Sequence, residues 1–324
     1  MEITNILITS AGRRVSLVNF FKEEVKNLKL KSQVYCTDLN PTLSSACQVA
    51  HKSFKVKRVT DKSYIDDLIE ICVKNSIKLI IPTIDTELLI LAKNSKRFQE
   101  LGIIPLVSDI EFIEKCRDKI KIHDFFDSIK LNRAQEYSKE NLHFPLFVKP
   151  IDGSRSQGLH LLHSKEDLTD EILSNPKNMF LEYISHSEFS EFTTDIYFNK
   201  NSKIISIVPR ERIFVRDGEV NKACTRKNAI LKVIAEKFKN IKGLRGCITL
   251  QVFKNKIDTI IGIEINPRFG GGFPLSYLAG ANFPRWIIKE YLLNLPVAVY
   301  KEDWKDNTLM LRYDAEVITY DYKN

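Results

Sequence analysis

The sequence predicts an α/β domain followed by an α+β region, the first built on a Rossmann-like parallel sheet. Two observations carry this. Through the first hundred residues short apolar runs alternate with amphipathic helical patterns. Beyond residue 108 the runs become strands that alternate polar with apolar and follow one another through tight turns. The boundary is therefore expected near residue 108.

In the first part, NILIT (5–9), QVYCTD (33–38), FKVK (54–57), KLIIPT (78–83) and IIPLVS (103–108) read as strands. VSLVNFFKEEVKNL and YIDDLIEICVKN space their apolar residues at three and four, as helices with one buried face do. Ser108 opens SDIE, a capping box ahead of one helix, FIEKCRDKIKIHDFF. The strands LFVKP, LHLL, MFLEYI, EFTTDIYF, KIISIVP, CITLQVF and TIIGIEIN follow, with helices near 165–174 and 226–239.

Composition narrows the class. An apolar content of 44% and a charged content of 28% suit a globular protein, and the formal charge of +8 suits one that handles anionic small molecules. The lysines form no strongly basic run and no cluster with interleaved aromatics, which argues against nucleic acid. The six cysteines (36, 47, 72, 116, 224 and 247) contain no CxxC and sit mostly in apolar segments. Buried free thiols in a reducing compartment are expected, not disulfides or zinc. The first residues lack a signal-peptide pattern, and no apolar run approaches the ~20 residues of a membrane span. A cytoplasmic protein without membrane contact is the expectation.

The first β–α turn, TSAGRRV, has one glycine, and GxxxxGK[ST] is absent from the chain. Asp38 ends the second strand where a ribose-binding acid often sits, yet without the G-x-G-x-x-G glycines a dinucleotide site is not expected. The ends of these strands, including PTIDTE (82–87), remain candidates for lining a substrate crevice.

The stretch GIEINPRFGGGFPLSYLAGA (262–281) concentrates the chemistry. Strand alternation puts Glu264 and Asn266 on one face, and a hairpin with CITLQVF brings Gln251 beside Glu264. One carboxylate and two amide oxygens are hard ligands suited to Mg²⁺ held jointly with phosphates; a plain polar sheet face is the competing reading. Arg268 follows at the strand end, where a guanidinium can grip phosphoryl or carboxylate oxygens. Gly270, Gly271 and Gly272 remove side chains, letting backbone N–H groups approach an anion.

Gln251, Glu264-x-Asn266-Pro267-Arg268, the glycines and AGANFP together resemble the ATP-grasp superfamily, in particular one module of the carbamoyl phosphate synthetase large subunit. The resemblance implies a Rossmann-like domain at 1–108, a small ATP-grasp lobe at 109–183 and a large lobe at 184–324. It implies Mg²⁺, or Mn²⁺ in its place, on Gln251, Glu264 and Asn266, with Arg268 at the phosphates or the acyl intermediate. Upstream, Lys119 and Lys149 match the two cations of the small lobe. Gly153, Ser154 and Gly158 in DGSRSQGLH match the loop that covers the phosphates, although Arg155 stands where a smaller residue is frequent. Glu182 and Ile184 match the adenine-facing segment, and Glu191 the ribose acceptor. With a single module, carbamoyl phosphate synthesis itself is not expected.

The implied activity is ATP-dependent joining of a carboxylate to an amine, or to a thiol, through an acyl phosphate, with ADP and phosphate released. Arg268 and Lys149 would be its catalytic cations. Arg210, Arg212 and Arg216 in IVPRERIFVRDGE sit two and four apart and would share one face of an extended strand. They are either a solvated basic face or, with Gly271, a substrate site in which Arg210 holds the acceptor carboxylate. The competing functions are an ATP- and bicarbonate-dependent carboxylase or carbamoyl-phosphate-type enzyme, and a nucleotide-binding protein without turnover. The expected partners are small-molecule carboxylates and amines, with a homodimer allowed.

Overall fold

The computed structural model describes residues 4–151, 158–216, 218–297, 300, 302–320 and 322. Its first unit is a five-stranded, wholly parallel sheet in the order β3-β2-β1-β4-β5. The strands are β1 (Asn5–Thr9), β2 (Val34–Asp38), β3 (Lys52–Lys55), β4 (Ile77–Pro82) and β5 (Ile104–Pro105). Helices α1 (Val15–Asn27), α2 (Ser45–Val49), α3 (Tyr64–Lys74), α4 (Asp85–Lys93) and α5 (Ser95–Glu100) connect them. Strand β1 is buried along its whole length, as a strand covered on both faces must be. The ends of β1, β2 and β4 deliver the turns after Thr9, Asp38 and Pro82 to one edge of this domain.

The expected helix 112–126 is two helices, α6 (Ile110–Arg117) and α7 (Lys119–Ser128). Asp118 interrupts them: its backbone is extended, and its carboxylate accepts from the N–H groups of Ile120 (2.9 Å) and Lys121 (3.2 Å). That cap satisfies donors a helix start leaves open. Lys119 thereby becomes the first residue of α7. Ser108 does not cap α6; its hydroxyl accepts from the Arg245 N–H at 3.2 Å instead.

The short strand β6 (Asn132–Arg133) leads from α7, and β7 (Glu136–Tyr137) begins a second sheet with β8 (Leu146–Pro150), β9 (His160–Leu162) and β10 (Asn178–Glu182), in the order β7-β10-β8-β9. Helix α8 (Asp170–Ser174) lies between β9 and β10. A seven-stranded sheet follows. It contains β11 (Phe189–Phe198), β12 (Ile204–Arg216), β13 (Glu219–Thr225), β14 (Gly246–Asn255), β15 (Ile260–Asn266) and β16 (Leu309–Leu311), ordered β16-β13-β12-β11-β14-β15-β6. Helices α9 (Ala229–Phe238), α10 (Phe273–Leu278) and α11 (Phe283–Ile287) complete this lobe.

The join between lobes differs from a division at residue 109. Strand β6 pairs in parallel with β15, and Phe112, Phe125 and Phe126 pack in the same core as Phe198 and Phe238. The α6–α7–β6 segment thus belongs to the large sheet, and the small-lobe sheet itself runs from Glu136 to Glu182. The reason is hydrophobic: the apolar face of α7 closes the large-lobe core. Gly262 is where it approaches most closely, since a Cβ there would lie 2.8–3.0 Å from the Phe126 ring. Phe126 is fully buried and cannot swing aside. Gly262→Ala is expected to destabilise the fold by about 1–3 kcal/mol, read as a lower denaturation midpoint; an unchanged midpoint would refute this packing.

Candidate active site

Each polar residue of the site comes from a defined register position. Gln251 pairs with Glu264 across the β14–β15 hairpin, and Thr249 pairs with Asn266. On the other side of β14, Gln251 pairs with Thr193 and Thr249 with Asp195 of β11. One sheet face therefore carries Glu264, Asn266, Gln251, Thr249, Glu191, Thr193 and Asp195, while Leu250, Val252 and Ile265 turn into the core. Asn266 Nδ2 donates to Glu264 Oε1 at 2.9 Å. Gln251 Nε2 donates to the Glu191 carboxylate, and Arg212 Nε lies 3.4 Å from the same carboxylate. The Gln251 amide is thus turned with its nitrogen toward Glu191.

The small lobe presents Lys149 from β8, where it pairs with Met179 and is only 8% exposed. Its pKa is lowered to about 8, first by burial and then by repulsion from Lys119, against the attraction of Glu264 and Glu136. The two lysines matched from the sequence are therefore electrostatic neighbours, and Glu264 of the large lobe attracts Lys149. Lys119 Nζ donates to the Pro150 carbonyl at 2.7 Å, tying α7 to the end of β8. His123, buried beneath them, is pushed down to about 4 by burial and by Lys149, so it is neutral near pH 7.

Gly158 adopts φ +69°, and a Cβ there would sit 3.1 Å from the Pro150 ring, so both the backbone conformation and the close approach favour glycine. Gly153 and Ser154 lie outside the described residues. Glu182 ends β10 exposed, its Oε2 accepting from the Gln135 N–H at 3.2 Å. Residues 183–185 belong to neither sheet, and Ile184 packs inward there, at the passage between lobes.

Arg268 is half-buried at the end of β15. Its Nε donates to Asp85 Oδ2 at 2.9 Å, its Nη1 to the Phe269 carbonyl at 3.1 Å and its Nη2 to Asn266 Oδ1 at 3.2 Å. Asp85 opens α4 in PTIDTE, so the N-terminal domain does reach the site, through an ion pair with the large lobe.

The reading of Arg210 as a substrate clamp is corrected. Arg210 is fully buried, and its Nε and Nη2 donate to the two oxygens of Asp195 at 2.9 and 3.0 Å. Asp195 also accepts from Ser276 at 2.6 Å, and Thr249 Oγ1 stands 3.2 Å away. The bidentate edge expected to face a ligand is spent on an internal carboxylate. The three arginines do not share one face either. Register shifts around Phe214 turn Arg216 outward, where it pairs with Asp314 at 3.0 Å, while Arg212 faces Glu191.

The consecutive glycines acquire separate reasons. A Cβ on Gly270 would meet Thr249 at 3.0 Å, and one on Gly272 would overlap Arg210 Nη1 at 2.1 Å. One on Gly271 would come within 3.2 Å of Arg14 Nη1 and 3.3 Å of the Glu219 carboxylate. Two of the three therefore make room for the protein's own side chains, and Gly271 faces charged groups. The sequence reading passed over Asp195, Arg14, Glu219 and Arg312. The buried Asp195 carried a signal, an acid inside the otherwise apolar and hydroxylic run FTTDIYF.

Among the described residues no cluster of three or more His, Cys, Asp or Glu is placed to hold a metal. The hard-oxygen donors on this face are mixed: the Glu264 carboxylate with the Gln251 and Asn266 amides, of which Asn266 turns its nitrogen to Glu264 and its oxygen to Arg268, so its side chain would have to turn over for that oxygen to join Glu264 on a cation. Such a set suits Mg²⁺ that completes its shell with phosphate and water.

Two family models match the chain: "PylC-like, N-terminal domain" over residues 6–106 and "ATP-grasp in the biosynthetic pathway with Ter operon" over residues 174–312. No curated protein matches the sequence significantly. Among solved structures, the biotin carboxylase domain dimer of Hydrogenobacter thermophilus 2-oxoglutarate carboxylase, with MgADP, ADP and bicarbonate, superposes with a TM-score of 0.74 at 12% identity. That match covers 95% of this chain and 74% of the other. N5-carboxyaminoimidazole synthetase of Staphylococcus aureus, complexed with ADP, gives 0.70 at 15% identity over 93% and 80% of the two chains. The L-amino acid ligase of Bacillus licheniformis gives 0.66 at 18% identity over 90% and 75%. At these identities the likeness is one of fold. Among the described residues no helix is long and apolar enough to cross a membrane.

Proposed function

Since the chain belongs to the ATP-grasp superfamily, we propose that it is an ATP-dependent ligase that activates a carboxylate as an acyl phosphate and transfers the acyl group to an amine. The observation that supports this best is that the buried Lys149 lies within electrostatic reach of both Lys119 and Glu264, with Gln251 and Asn266 adjoining Glu264 on the sheet face. Phosphoryl transfer asks mainly for positioning and charge neutralisation. In this reading Lys119 and Lys149 bind and orient the ATP phosphates. Glu264, Gln251 and Asn266 hold Mg²⁺, which when bound neutralises polyphosphate charge. Glu182 and Ile184 border the adenine and Glu191 the ribose. The substrate carboxylate attacks the γ-phosphorus, ADP leaves, and the amine then displaces phosphate from the acyl carbon. Arg268 and the Gly271 backbone, at the edge of the metal face, stabilise the oxyanion formed in that second step.

A trap tests the reaction class. With ATP, Mg²⁺, hydroxylamine and a panel of carboxylic acids, the correct acid is expected to yield a hydroxamate in proportion to ADP. ADP released with bicarbonate alone, and no hydroxamate with any acid, would replace the ligase by a carboxylase. The absence of any turnover would leave a nucleotide-binding protein.

Lys149 adds a pH signature. With its pKa near 8, about half of it is neutral at pH 8 in the free protein. Phosphate oxygens placed against it favour the charged form, so nucleotide binding at pH 8 is expected to take up about half a proton. Calorimetry in buffers of different ionisation enthalpy reads this uptake, and Lys149→Arg should lose it. No uptake in the wild-type protein would remove Lys149 from the phosphates. The sign for stability is separate. Between about 8 and 10.5 the unfolded chain holds the proton more tightly than the folded one, so this group's contribution to free-protein stability rises with pH across that window.

A further inference from the structure

A second charged constellation lies beside Gly271, and its Arg13, Arg14, Arg312 and Glu219 take no part in the nucleotide, metal and oxyanion contacts above. Arg14 follows the turn after β1 and brings Nη1 within 3.2 Å of where a Gly271 side chain would begin. Arg312, just beyond β16, donates from Nη2 to the Gly271 carbonyl at 2.5 Å and from Nη1 to Glu219 Oε2 at 3.1 Å. Arg13 reaches the other Glu219 oxygen at 3.1 Å. Arg268, held by Asp85, is a charged neighbour of Arg14. Three elements from two domains thus converge on one glycine.

The charges there do not balance. Arg13, Arg14, Arg268 and Arg312 bring four positive charges, and Glu219 and Asp85 bring two negative ones. Glu219 is already shared by Arg13 and Arg312, and Asp85 is taken by Arg268. Among the described residues Arg14 has no ion pair and no side-chain hydrogen bond. Burial pushes its pKa down to about 10, helped by repulsion from Arg268, Arg312 and Arg13 and opposed by Glu219. Packing an unpaired guanidinium among three others is costly unless something anionic joins them. A planar fork of N–H donors offers that anion two parallel hydrogen bonds.

We propose that Arg14 and Arg312 form, over Gly271, a binding site for a second anionic group of the substrate, one carrying two negative charges or sharing two between neighbouring carboxylates. The inference rests on the ligase reading for what it calls substrate, but the anion site stands on its own geometry. Its place next to Arg268 sets the substrate's reactive carboxylate toward the lobes and its second acid toward the N-terminal domain. Arg14 is then a specificity-determining residue: acids without the second anionic group would leave its charge uncompensated. The chemistry is common to a dicarboxylate and a phosphomonoester.

Malonate and inorganic phosphate probe these two sources, with acetate at matched ionic strength as the single-charge reference. For the full chain without nucleotide, one of the two dianions is expected to raise the melting temperature and to bind measurably by calorimetry, while acetate does neither. The better of malonate and phosphate identifies the source. Arg14→Gln should weaken that dianion at least tenfold, and Arg14→Lys should restore part of it. With no anion present, Arg14→Gln should melt at or above the wild-type temperature, because it relieves repulsion. The proposal is overturned if acetate matches both dianions, if Arg14→Gln binds the dianion as wild type does, or if it melts lower without anion. It also fails if Arg14→Gln loses binding of a non-hydrolysable ATP analogue in parallel, which would make the arginine part of the nucleotide site. Dianion binding lost in Arg14→Gln with no hydroxamate from any acid would sink the ligase reading and keep this site.

Discussion

Asp195→Ala is expected to destabilise the protein by about 3–5 kcal/mol, the cost of leaving one partner of a buried ion pair alone. Arg210 and Asp195 are both fully shielded from solvent, and the carboxylate is gripped through both oxygens. Removing it strands a guanidinium whose Nη1 already lacks a hydrogen-bond partner among the described residues. Water cannot enter easily, since Gly272 and Val220 pack on the same side chain. The loss also frees Ser276 and Thr249, which anchor α10 and the Arg268 carbonyl to the sheet. Urea unfolding should show the midpoint falling with the slope unchanged. A change below about 1 kcal/mol would mean that the pair is not closed to solvent, and Arg210 would return as a candidate ligand-binding group.

Glu264→Ala is expected to do the reverse, leaving stability nearly unchanged while removing Mg²⁺-dependent ATP turnover by at least about 100-fold, the scale of deleting one preorganised electrostatic group. Glu264 is half-buried, and among the described residues its carboxylate accepts one hydrogen bond, from the side chain of Asn266, so little packing depends on it. Its loss removes the only carboxylate of the proposed metal set. It also removes an attraction that raises the pKa of Lys149, so the proton-uptake profile on nucleotide binding should move to a pH lower than that of the wild type. Wild-type turnover in a folded Glu264→Ala protein would reduce this face to a polar sheet surface. A shifted Lys149 profile without loss of turnover would keep the electrostatic contact and discard the metal role.

Much of this molecule follows from local pattern. The strands 5–9 and 146–150 and the helix beginning at Val15 lie where apolar periodicity puts them, within one residue at the far end of the helix. Alternation in two adjacent strands predicts the pairing of Gln251 with Glu264, because a short hairpin leaves few registers that keep Leu250 and Ile265 in the core. Strand alternation also places Glu264 and Asn266 on one face, whereas Lys119 and Lys149 are singled out only by the resemblance of their order along the chain to the ATP-grasp pattern, and Arg268 lies just beyond the end of β15.

Other features depended on contacts between residues far apart in the chain. Whether Arg210 faces a ligand or a carboxylate depends on Asp195, which only strand pairing brings opposite the same face. The break at Asp118 required competition between a side-chain cap and a continuing helix, and both are compatible with the same apolar spacing. The reason for Gly272 is an arginine more than sixty positions earlier. Asp85, Arg14 and Arg312 approach the Gly271 loop from a separate sheet and from the last strand, with no periodicity linking them. Local pattern specifies which face of an element is buried, because burial repeats with the period of the element itself. Which charges meet on those faces is decided by packing between elements, and Coulomb energy depends on that separation and on the exclusion of water, not on distance along the chain.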